Sequence, residues 1–362
     1  MRLTSRRTRF SQAAVAVTVI ALAATACGSS SKDANKASDS SSSSSGKYTG
    51  KGIGLAYDVG GKGDQSFNDA AYAGFQKAEK DFGLTGRDIE PQDGESDADK
   101  VQRLEQLAQA GYNPVIGVGF AYAPAVKEAA AKFPNITFGI IDDEQDKAAN
   151  VADLVFHEEQ SSYLAGVAAA KATKKNHIGF IGGVDVPLIH KFEAGFDQGA
   201  KSVNPSIKIE SQYLTQTAAE GGFSSPDKGK DAASGQIEAG ADVIYAAAGL
   251  SGQGVISEAS AKGVWAIGVD SDQYEQKALA KYKDSILGSA LKNVGGAVYD
   301  LVKSVYEGKP KTGVIRYGLD NDGVGFSDTN PKYKAMTAAV AAVNKAKQDI
   351  IDGKVTVATT TK

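Results

Sequence analysis

The feature that most restricts the fold is a regular alternation of short apolar runs with longer amphipathic segments. The short runs are rich in Val, Ile and Gly and are typical of buried strands, as in 52–57. In the segment 98–110, by contrast, Val101, Leu104 and Leu107 recur at the spacing of one helix face. A βαβ succession of this kind predicts parallel sheets covered by helices on both faces.

The alternation occurs twice along the chain. In the first series the predicted strands are 52–57, 89–92, 114–118, 137–141 and 151–156, with helices 68–81, 98–110 and 121–132 between them. In the second series the predicted strands are 177–181, 208–213, 243–246 and 265–269, followed by a strand 286–290, a helix 294–308, a strand 314–317 and a long helix 331–352. We therefore expect the α/β class, with two doubly wound, Rossmann-like lobes and a crevice between them.

Lobe boundaries follow from this division. We assign 48–156 plus 286–318 to lobe 1 and 157–285 plus 319–362 to lobe 2. The stretch His157-Glu158-Glu159 falls at the junction and is interpreted as a hinge or a surface segment.

The N-terminus has the pattern of an export signal. A basic start and an apolar run, 13–24, precede Ala24-Thr-Ala-Cys27, which predicts a signal peptide over 1–26 that is too short for a membrane span. This pattern resembles a bacterial lipoprotein signal, in which cleavage leaves a lipid-carrying cysteine, here Cys27 with palmitate. An ordinary signal peptide with an incidental cysteine is the alternative. Arg6-Arg7 leaves open a twin-arginine export route.

The segment 27–47 is rich in Ser and cannot bury apolar surface, so we expect a lipidated, flexible tether. The folded body should begin near Tyr48, on the extracytoplasmic face of the cell membrane. With a formal net charge of −3 there is no basic excess that would favour nucleic acid. The histidines lack metal-ligand spacing, and the Gly-rich stretches lack a complete dinucleotide fingerprint, so we expect no metal and no cofactor.

Several polar and aromatic residues follow the predicted strands and could face the crevice. They are Asp58, Phe67, Asn68, Asp142, Phe223, Asp270 and Lys292. Taken singly, such residues are often helix caps, core rings or solvated lysines. Their convergence on the strand ends of a two-lobed fold predicts a ligand site instead. Carboxylates accept hydrogen bonds from vicinal hydroxyls and aromatic rings stack on a flat heterocycle, which fits a ribose plus a base.

Several ordered motifs within 51–326 carry a family resemblance. They are Asp58-Val-Gly-Gly, Gln65-Ser-Phe-Asn68, Val115-Ile-Gly-Val-Gly-Phe120, Ile178-Gly-Phe-Ile-Gly-Gly183, Ala246-Ala-Ala-Gly249, Ile267-Gly-Val-Asp-Ser-Asp-Gln273 and Ser289-Ala-Leu-Lys-Asn-Val294. The chain thereby resembles the basic membrane protein (BMP) family, substrate-binding lipoproteins of ABC transporters that include a purine nucleoside receptor. The resemblance implies a type I periplasmic-binding-protein fold with a hinge, and no enzyme activity.

The resemblance also implies roles for the selected residues and the partners of the protein. Phe67 and Phe223 would sandwich the base, while Asp270 and Lys292 would hold the ribose hydroxyls. The residues Asp58, Asn68 and Asp142 would contact the base or the ribose. We expect Phe67, Asn68 and Lys292 in the first lobe, and Phe223 and Asp270 in the second. The protein would be a monomer that takes a nucleoside, most of all a purine one, to an ABC permease.

Two other classes stay open on the sequence alone. A receptor of the same fold could take a sugar or a signalling ligand, and a pocket with only one base-facing aromatic would favour it. An extracytoplasmic nucleoside-processing enzyme would need a general base and a water or phosphate site. The sequence has no Gly-x-Ser-x-Gly elbow and no cysteine nucleophile.

Overall fold

The computed structural model describes residues 48–92, 94–144 and 147–361. The predicted signal peptide 1–26, the tether 27–47 and Cys27 lie outside the described residues. The described strands are β1 (Gly52–Ala56), β2 (Thr85–Ile89), β3 (Val115–Gly117), β4 (Phe138–Ile141), β5 (Val151–Phe156), β6 (His177–Val184), β7 (Lys208–Thr215), β8 (Val243–Ala247), β9 (Trp265–Asp270), β10 (Ile286–Lys292), β11 (Gly313–Tyr317) and β12 (Val324–Phe326). The described helices are α1 (Phe67–Phe82), α2 (Asp97–Gln109), α3 (Ala123–Lys132), α4 (Glu158–Ala172), α5 (Pro187–Val203), α6 (Pro226–Glu238), α7 (Gly252–Lys262), α8 (Val294–Tyr306), α9 (Pro331–Lys334) and α10 (Thr337–Ile351).

The described strands form two sheets with the same connectivity. The first sheet has the order β11-β5-β4-β3-β1-β2 and the second has the order β12-β10-β9-β8-β6-β7. All pairs are parallel except β10 with β12, which is antiparallel. In each sheet the strand order reverses beside the first strand of the series, between β1 and β3 and between β6 and β8. Open parallel sheets bind ligands outside such reversal points.

Two elements differ from the sequence prediction for a local reason. Strand β2 covers Thr85–Ile89 rather than 89–92, because it is a half-exposed edge strand whose sequence, Thr-Gly-Arg-Asp-Ile, lacks an apolar run. The predicted helix 331–352 divides into α9 and α10, with Ala335 and Met336 between them.

The sequence assigns 286–318 to lobe 1, and this assignment is wrong for residues 286–292. Strand β10 pairs with β9, with Leu291 opposite Asp270, so β10 belongs to the second sheet. Lys292, which ends β10, was therefore placed in the wrong lobe. An apolar strand fits either sheet equally well, so only the tertiary pairing decides. The chain passes between the sheets at 156–158, 292–294 and 317–319.

Helices α4 and α5 approach each other with backbone in contact, and this fixes the start of α4 beside the crevice. A Cβ atom added at Gly195 or Gly199 would lie 2.1 Å from the carbonyl oxygen of Glu159 or Tyr163, respectively. Nearly all of α4 is buried, and its sequence is rich in Ala and Ser. Small residues permit this close packing, which holds Glu158 in place at the first turn.

We predict that Gly199→Ala lowers the free energy of unfolding by about 1–3 kcal/mol, because the new methyl group collides with the backbone of α4. Gly235→Ala in α6 is the matched control, since no atom lies within 4 Å of its added Cβ. It should raise the free energy of unfolding by roughly 0.5–1 kcal/mol through helix propensity alone. Urea unfolding of both variants tests the packing, and the same sign of change in both would contradict it.

Candidate functional site

A cavity of about 540 Å³, openings to solvent included, lies at the carboxyl ends of both sheets. The structure brings all seven predicted residues to its lining: Asp58, Phe67, Asn68, Asp142, Phe223, Asp270 and Lys292. Side chains that the sequence did not single out also line it, namely Val59, Asp64, Phe120, Leu188, Ile189, Phe192 and Val269.

Asp142 and Asp270 occupy equivalent positions in the two lobes. Asp142 follows β4, the fourth strand of the first sheet, and Asp270 ends β9, the fourth strand of the second series. Both have left-handed backbones, with φ of 69° and 62°. This region is uncommon for residues other than glycine, although Asp tolerates it better than most. Each lobe thus presents one carboxylate at a sharp turn on its side of the crevice.

Lys292 supplies a buried positive charge between the lobes. Its Nζ lies 2.6 Å from Asp142 Oδ2, and the two side chains are only 3% and 4% exposed. The same atom lies 4.8 Å from the centre of the Phe67 ring, within cation–π range. Burial disfavours the ammonium form, but the surrounding carboxylates outweigh this effect and raise the pKa of Lys292. The ion pair therefore joins the second sheet to the first.

Glu158, at the start of α4, extends this charge cluster. Its side chain is 1% exposed, with Oε1 4.0 Å from Lys292 Nζ and Oε2 3.7 Å from Lys191 Nζ. Burial raises the pKa of Glu158 to about 7, against the attraction of the Lys292 ammonium. The sequence predicts a hinge or a surface segment here; the crossover at 156–158 is compatible with a hinge, but the buried Glu158 side chain does not lie at the surface. Its position directly after a buried strand, at a crossover between lobes, was the available signal.

The loop after β1 holds Asp58 and Asn68 against each other. Asn68 Oδ1 accepts a hydrogen bond from the Asp58 N–H at 3.2 Å, and Asp58 Oδ1 accepts one from the Val59 N–H at 2.7 Å. A Cβ at Gly119 would lie 2.1 Å from Asp58 Oδ2, so a glycine is needed where β3 ends. Burial raises the pKa of Asp58 to about 7, although the Val59 N–H and Lys100 act in the opposite direction.

Asp64 organises the start of α1. Its carboxylate accepts hydrogen bonds from the N–H groups of Ser66 at 2.9 Å, Asn68 at 2.8 Å and Asp69 at 3.1 Å. The side chain is almost fully buried. Three backbone donors on one carboxylate hold the loop rigidly, which fixes Phe67 and Asn68 at the cavity wall. The local sequence does not indicate that this aspartate, rather than the N-cap residue Ser66, performs that role.

The two predicted aromatic residues reach the cavity from opposite lobes. Phe67 begins α1, beside the first sheet. Phe223 precedes α6 and lies against the strand end of β6, where a Cβ added at Gly183 would come within 2.4 Å of its ring. Phe120 and Phe192 widen the apolar part of the lining. The cavity thus has aromatic surface on both sides.

The polar part of the cavity is dominated by acceptors. Asp142 Oδ1 is buried and has no hydrogen-bond partner among the described residues. A buried acceptor of this kind calls for a donor, which an ordered water or a bound molecule can supply. Between the carboxylates and the single ammonium, the arrangement can hold an uncharged ligand with several hydroxyl or amino donors. Within the described ranges no group of His, Cys, Asp and Glu could bind a metal ion, and no helix is both long and apolar enough to cross a membrane.

Comparison with known proteins shows what this architecture resembles. A family model described as "ABC transporter substrate-binding protein PnrA-like" matches residues 53–360. The ABC transporter nucleoside-binding protein BmpA of Lactococcus lactis subsp. cremoris is 39% identical over 320 residues, which cover 84% of this chain and 88% of that protein. The CD4+ T-cell-stimulating antigen of Listeria monocytogenes is 36% identical over 323 residues, covering 84% and 87%.

A solved structure matches over nearly the same extent. The solute-binding protein of an ABC transporter system from Aeropyrum pernix is 27% identical, with a TM-score of 0.73, and the match covers 86% of this chain and 94% of that one. A solute-binding protein from Conexibacter woesei gives a TM-score of 0.65 at 20% identity, which bears on the fold alone. The expected two-lobed binding-protein fold is confirmed.

We predict that Lys292→Met lowers the free energy of unfolding by about 3–5 kcal/mol near pH 8, because it leaves buried carboxylates without their cation. The loss should shrink towards about pH 5, since Glu158, whose pKa burial raises to about 7, then takes up a proton and becomes neutral. Lys132→Met, which breaks a half-exposed surface pair with Glu105, should cost at most about 1 kcal/mol at either pH. Denaturant titrations at the two pH values measure both, and a loss for Lys292→Met that does not depend on pH would count against the buried cluster.

Proposed function

Because the chain belongs to the family of PnrA-like ABC transporter substrate-binding proteins, we propose that it binds nucleosides, purine nucleosides above all, and delivers them to an ABC permease. One observation carries this proposal. A single cavity joins carboxylates, an ammonium and aromatic rings contributed by both lobes. A nucleoside has a flat apolar base at one end and vicinal hydroxyls at the other, and it matches that division.

The ribose would lie at the charged end of the cavity. Asp270 would accept hydrogen bonds from the two vicinal hydroxyls, and Lys292 would donate to one of their oxygens. Asp142 Oδ1, which lacks a partner among the described residues, would accept from a further donor of the ligand. The 2.6 Å pair between Lys292 and Asp142 would hold both groups in place around the ligand.

The base would lie between Phe67 and Phe223, with Asp58 and Asn68 at its edge. Offset stacking of aromatic surfaces favours a flat heterocycle over a sugar ring. Asn68 Nδ2 donates to Asp64 Oδ2 at 3.2 Å and Asn68 Oδ1 accepts from the Asp58 N–H, so the amide has one further N–H and one further lone pair for the edge of the base. A pocket with only one base-facing aromatic residue would favour a sugar receptor, so the presence of both Phe67 and Phe223 in the lining supports the nucleoside proposal.

The charge balance of the pocket favours nucleosides over nucleotides. The carboxyl groups of Asp58, Asp142, Asp270 and Glu158 outnumber the one ammonium of Lys292. A phosphate buried here would add like charge in a place shielded from water, which costs several kcal/mol. The ligand is therefore expected to be neutral.

Binding would proceed by hinge closure. The chain crosses between the lobes at 156–158, 292–294 and 317–319, and these short segments can absorb a rotation. A ligand that contacts Phe67 in one lobe and Asp270 in the other binds the closed arrangement more tightly than the open one. The nucleoside would be released when the permease favours the open arrangement.

The location of the protein is part of the same proposal. A lipid on Cys27 would hold it on the outer face of the cell membrane, and the Ser-rich segment up to residue 47 would let the folded body reach the permease. Proteins similar to this chain in Pyrococcus are named lipoproteins, in agreement with such an anchor. Labelling with a fatty-acid analogue in cells, compared between the protein and Cys27→Ser, tests the anchor.

A thermal-shift panel tests the ligand class. A molecule that binds only the folded protein raises its melting temperature by mass action. We expect purine nucleosides at millimolar concentration to raise the melting temperature most, free bases less, and nucleotides and sugars little or not at all. If no nucleoside raises it, the assignment fails. If a sugar alone does, the protein is a sugar receptor on the same fold.

The ribose contacts are tested separately. We predict that Asp270→Asn weakens binding of a nucleoside by about 10–100-fold, the value of a charge-assisted hydrogen bond, and leaves binding of the free base almost unchanged. Asp284→Asn, at a side chain that is 76% exposed, is the control and should alter neither. Isothermal titration with both ligands gives the comparison. Equal losses for nucleoside and base would place Asp270 away from the ribose.

A further inference from the structure

Ser66 stands at the N-cap position of α1, yet its hydroxyl does not cap that helix. The Oγ atom lies 2.8 Å from Asp270 Oδ2 and 3.1 Å from the Val269 carbonyl oxygen, so its proton is directed to acceptors at the end of β9. Ser66 belongs to the loop of the first lobe, whereas β9 belongs to the second sheet. The bond therefore crosses the crevice.

The capping function that Ser66 gives up is performed by Asp64. Its carboxylate accepts hydrogen bonds from the N–H groups of Ser66, Asn68 and Asp69. At the start of α2, by contrast, the N-cap serine performs the ordinary role: Ser96 Oγ accepts from the Asp99 N–H. The departure at α1 leaves a hydroxyl that is fully buried and free to bond the other lobe.

Two more hydrogen bonds connect the same two loops, and their donors lie in the second lobe. Ser271 Oγ donates to the Ser66 carbonyl oxygen at 2.8 Å, and Gln273 Nε2 donates to the Gln65 carbonyl oxygen at 3.1 Å. These donors follow Asp270 directly in the chain. The loop before α1 and the loop after β9 are thus joined in both directions. The bonds can exist only when the lobes are closed on each other.

We propose that Ser66 is a positioning residue that couples ligand binding to lobe closure through Asp270, an inference that rests on the proposed function. Asp270 sits at a left-handed backbone position, with φ of 62°, and needs support for its orientation. The Ser66 hydroxyl holds Oδ2 and leaves Oδ1 directed to the ligand. One carboxylate then serves both the ligand and the closed state, so each strengthens the other.

The test compares dissociation rates of a radiolabelled purine nucleoside from wild type and Ser66→Ala. Loss of a hydrogen bond to a charged acceptor that forms only on closure should raise the dissociation rate about tenfold and leave the association rate nearly unchanged. Ser271→Ala removes the hydrogen bond from Ser271 Oγ to the Ser66 carbonyl oxygen and leaves the Asp270 side chain and the cavity lining unchanged. It should raise the dissociation rate by a smaller factor than Ser66→Ala does. It also serves if Ser66→Ala does not fold.

Two matched controls separate closure from general destabilisation. Ser96→Ala removes an ordinary helix cap and should lower the melting temperature without changing the dissociation rate. Gln253→Ala removes another bond between the lobes, from Gln253 Nε2 to the Gly63 carbonyl oxygen, at an exposed position remote from Asp270. Its effect on the dissociation rate should be well below that of Ser66→Ala. The inference is overturned if Ser66→Ala, Ser96→Ala and Gln253→Ala change the dissociation rate equally. It is also overturned if Ser66→Ala changes only the melting temperature.

Small-angle X-ray scattering of the ligand-free protein measures the radius of gyration and so tests lobe closure without a nucleoside. Ser66→Ala should shift the lobes towards the open arrangement and enlarge the radius of gyration relative to wild type. An unchanged radius together with an unchanged dissociation rate overturns the coupling while nucleoside binding stands. A wild type that binds no nucleoside overturns the proposed function, and an enlarged radius in Ser66→Ala would then still support Ser66 as a bond between the lobes.

Discussion

The ammonium of Lys292 is the group on which the rest of the site depends. It lies almost completely away from water and is paired with Asp142 across the two sheets. A buried charge without a partner costs several kcal/mol, so the end of β10 and the end of β4 must remain close together. That requirement places the crossover 292–294 at the back of the crevice. It also explains the glycine contacts between α4 and α5, which hold the Glu158 carboxylate beside the same cation.

The same local arrangement of residues occurs in both lobes of the site. Each sheet ends its fourth strand with an aspartate in a left-handed conformation, and each lobe adds an aromatic residue ahead of a helix. Backbone strain of this kind is kept where the surrounding structure holds it, and such places are often binding sites. Because neither lobe has both carboxylates or both rings, neither forms a complete pocket. In the proposed mechanism, a ligand that fills this pocket therefore contacts both lobes.

The sequence was informative where a local pattern suffices. Strands β1, β4 and β9 are continuous apolar runs followed by polar residues, so their ends, and Asp58, Asp142 and Asp270 with them, could be located from periodicity and turn residues. The edge strand β2 could not be located in this way, because a half-exposed strand needs no apolar run. The sheet to which β10 belongs was not predicted correctly either, although β10 pairs with β9, the strand that precedes it, because an apolar strand fits either sheet. The role of Glu158 depends on a lysine far along the chain.

The start of α1 shows why such residues resist prediction. Within 64–68, Asp64 caps the helix, Ser66 bonds the other lobe, and Phe67 and Asn68 line the cavity. Local rules assign the cap to Ser66 and the ring to the core. Both assignments fail because the carboxylate of Asp270 attracts the hydroxyl and the Lys292 ammonium attracts the ring face. Since Asp270 and Lys292 both come from the second lobe, the contacts that Ser66 and Phe67 make with them require the two lobes to lie close together.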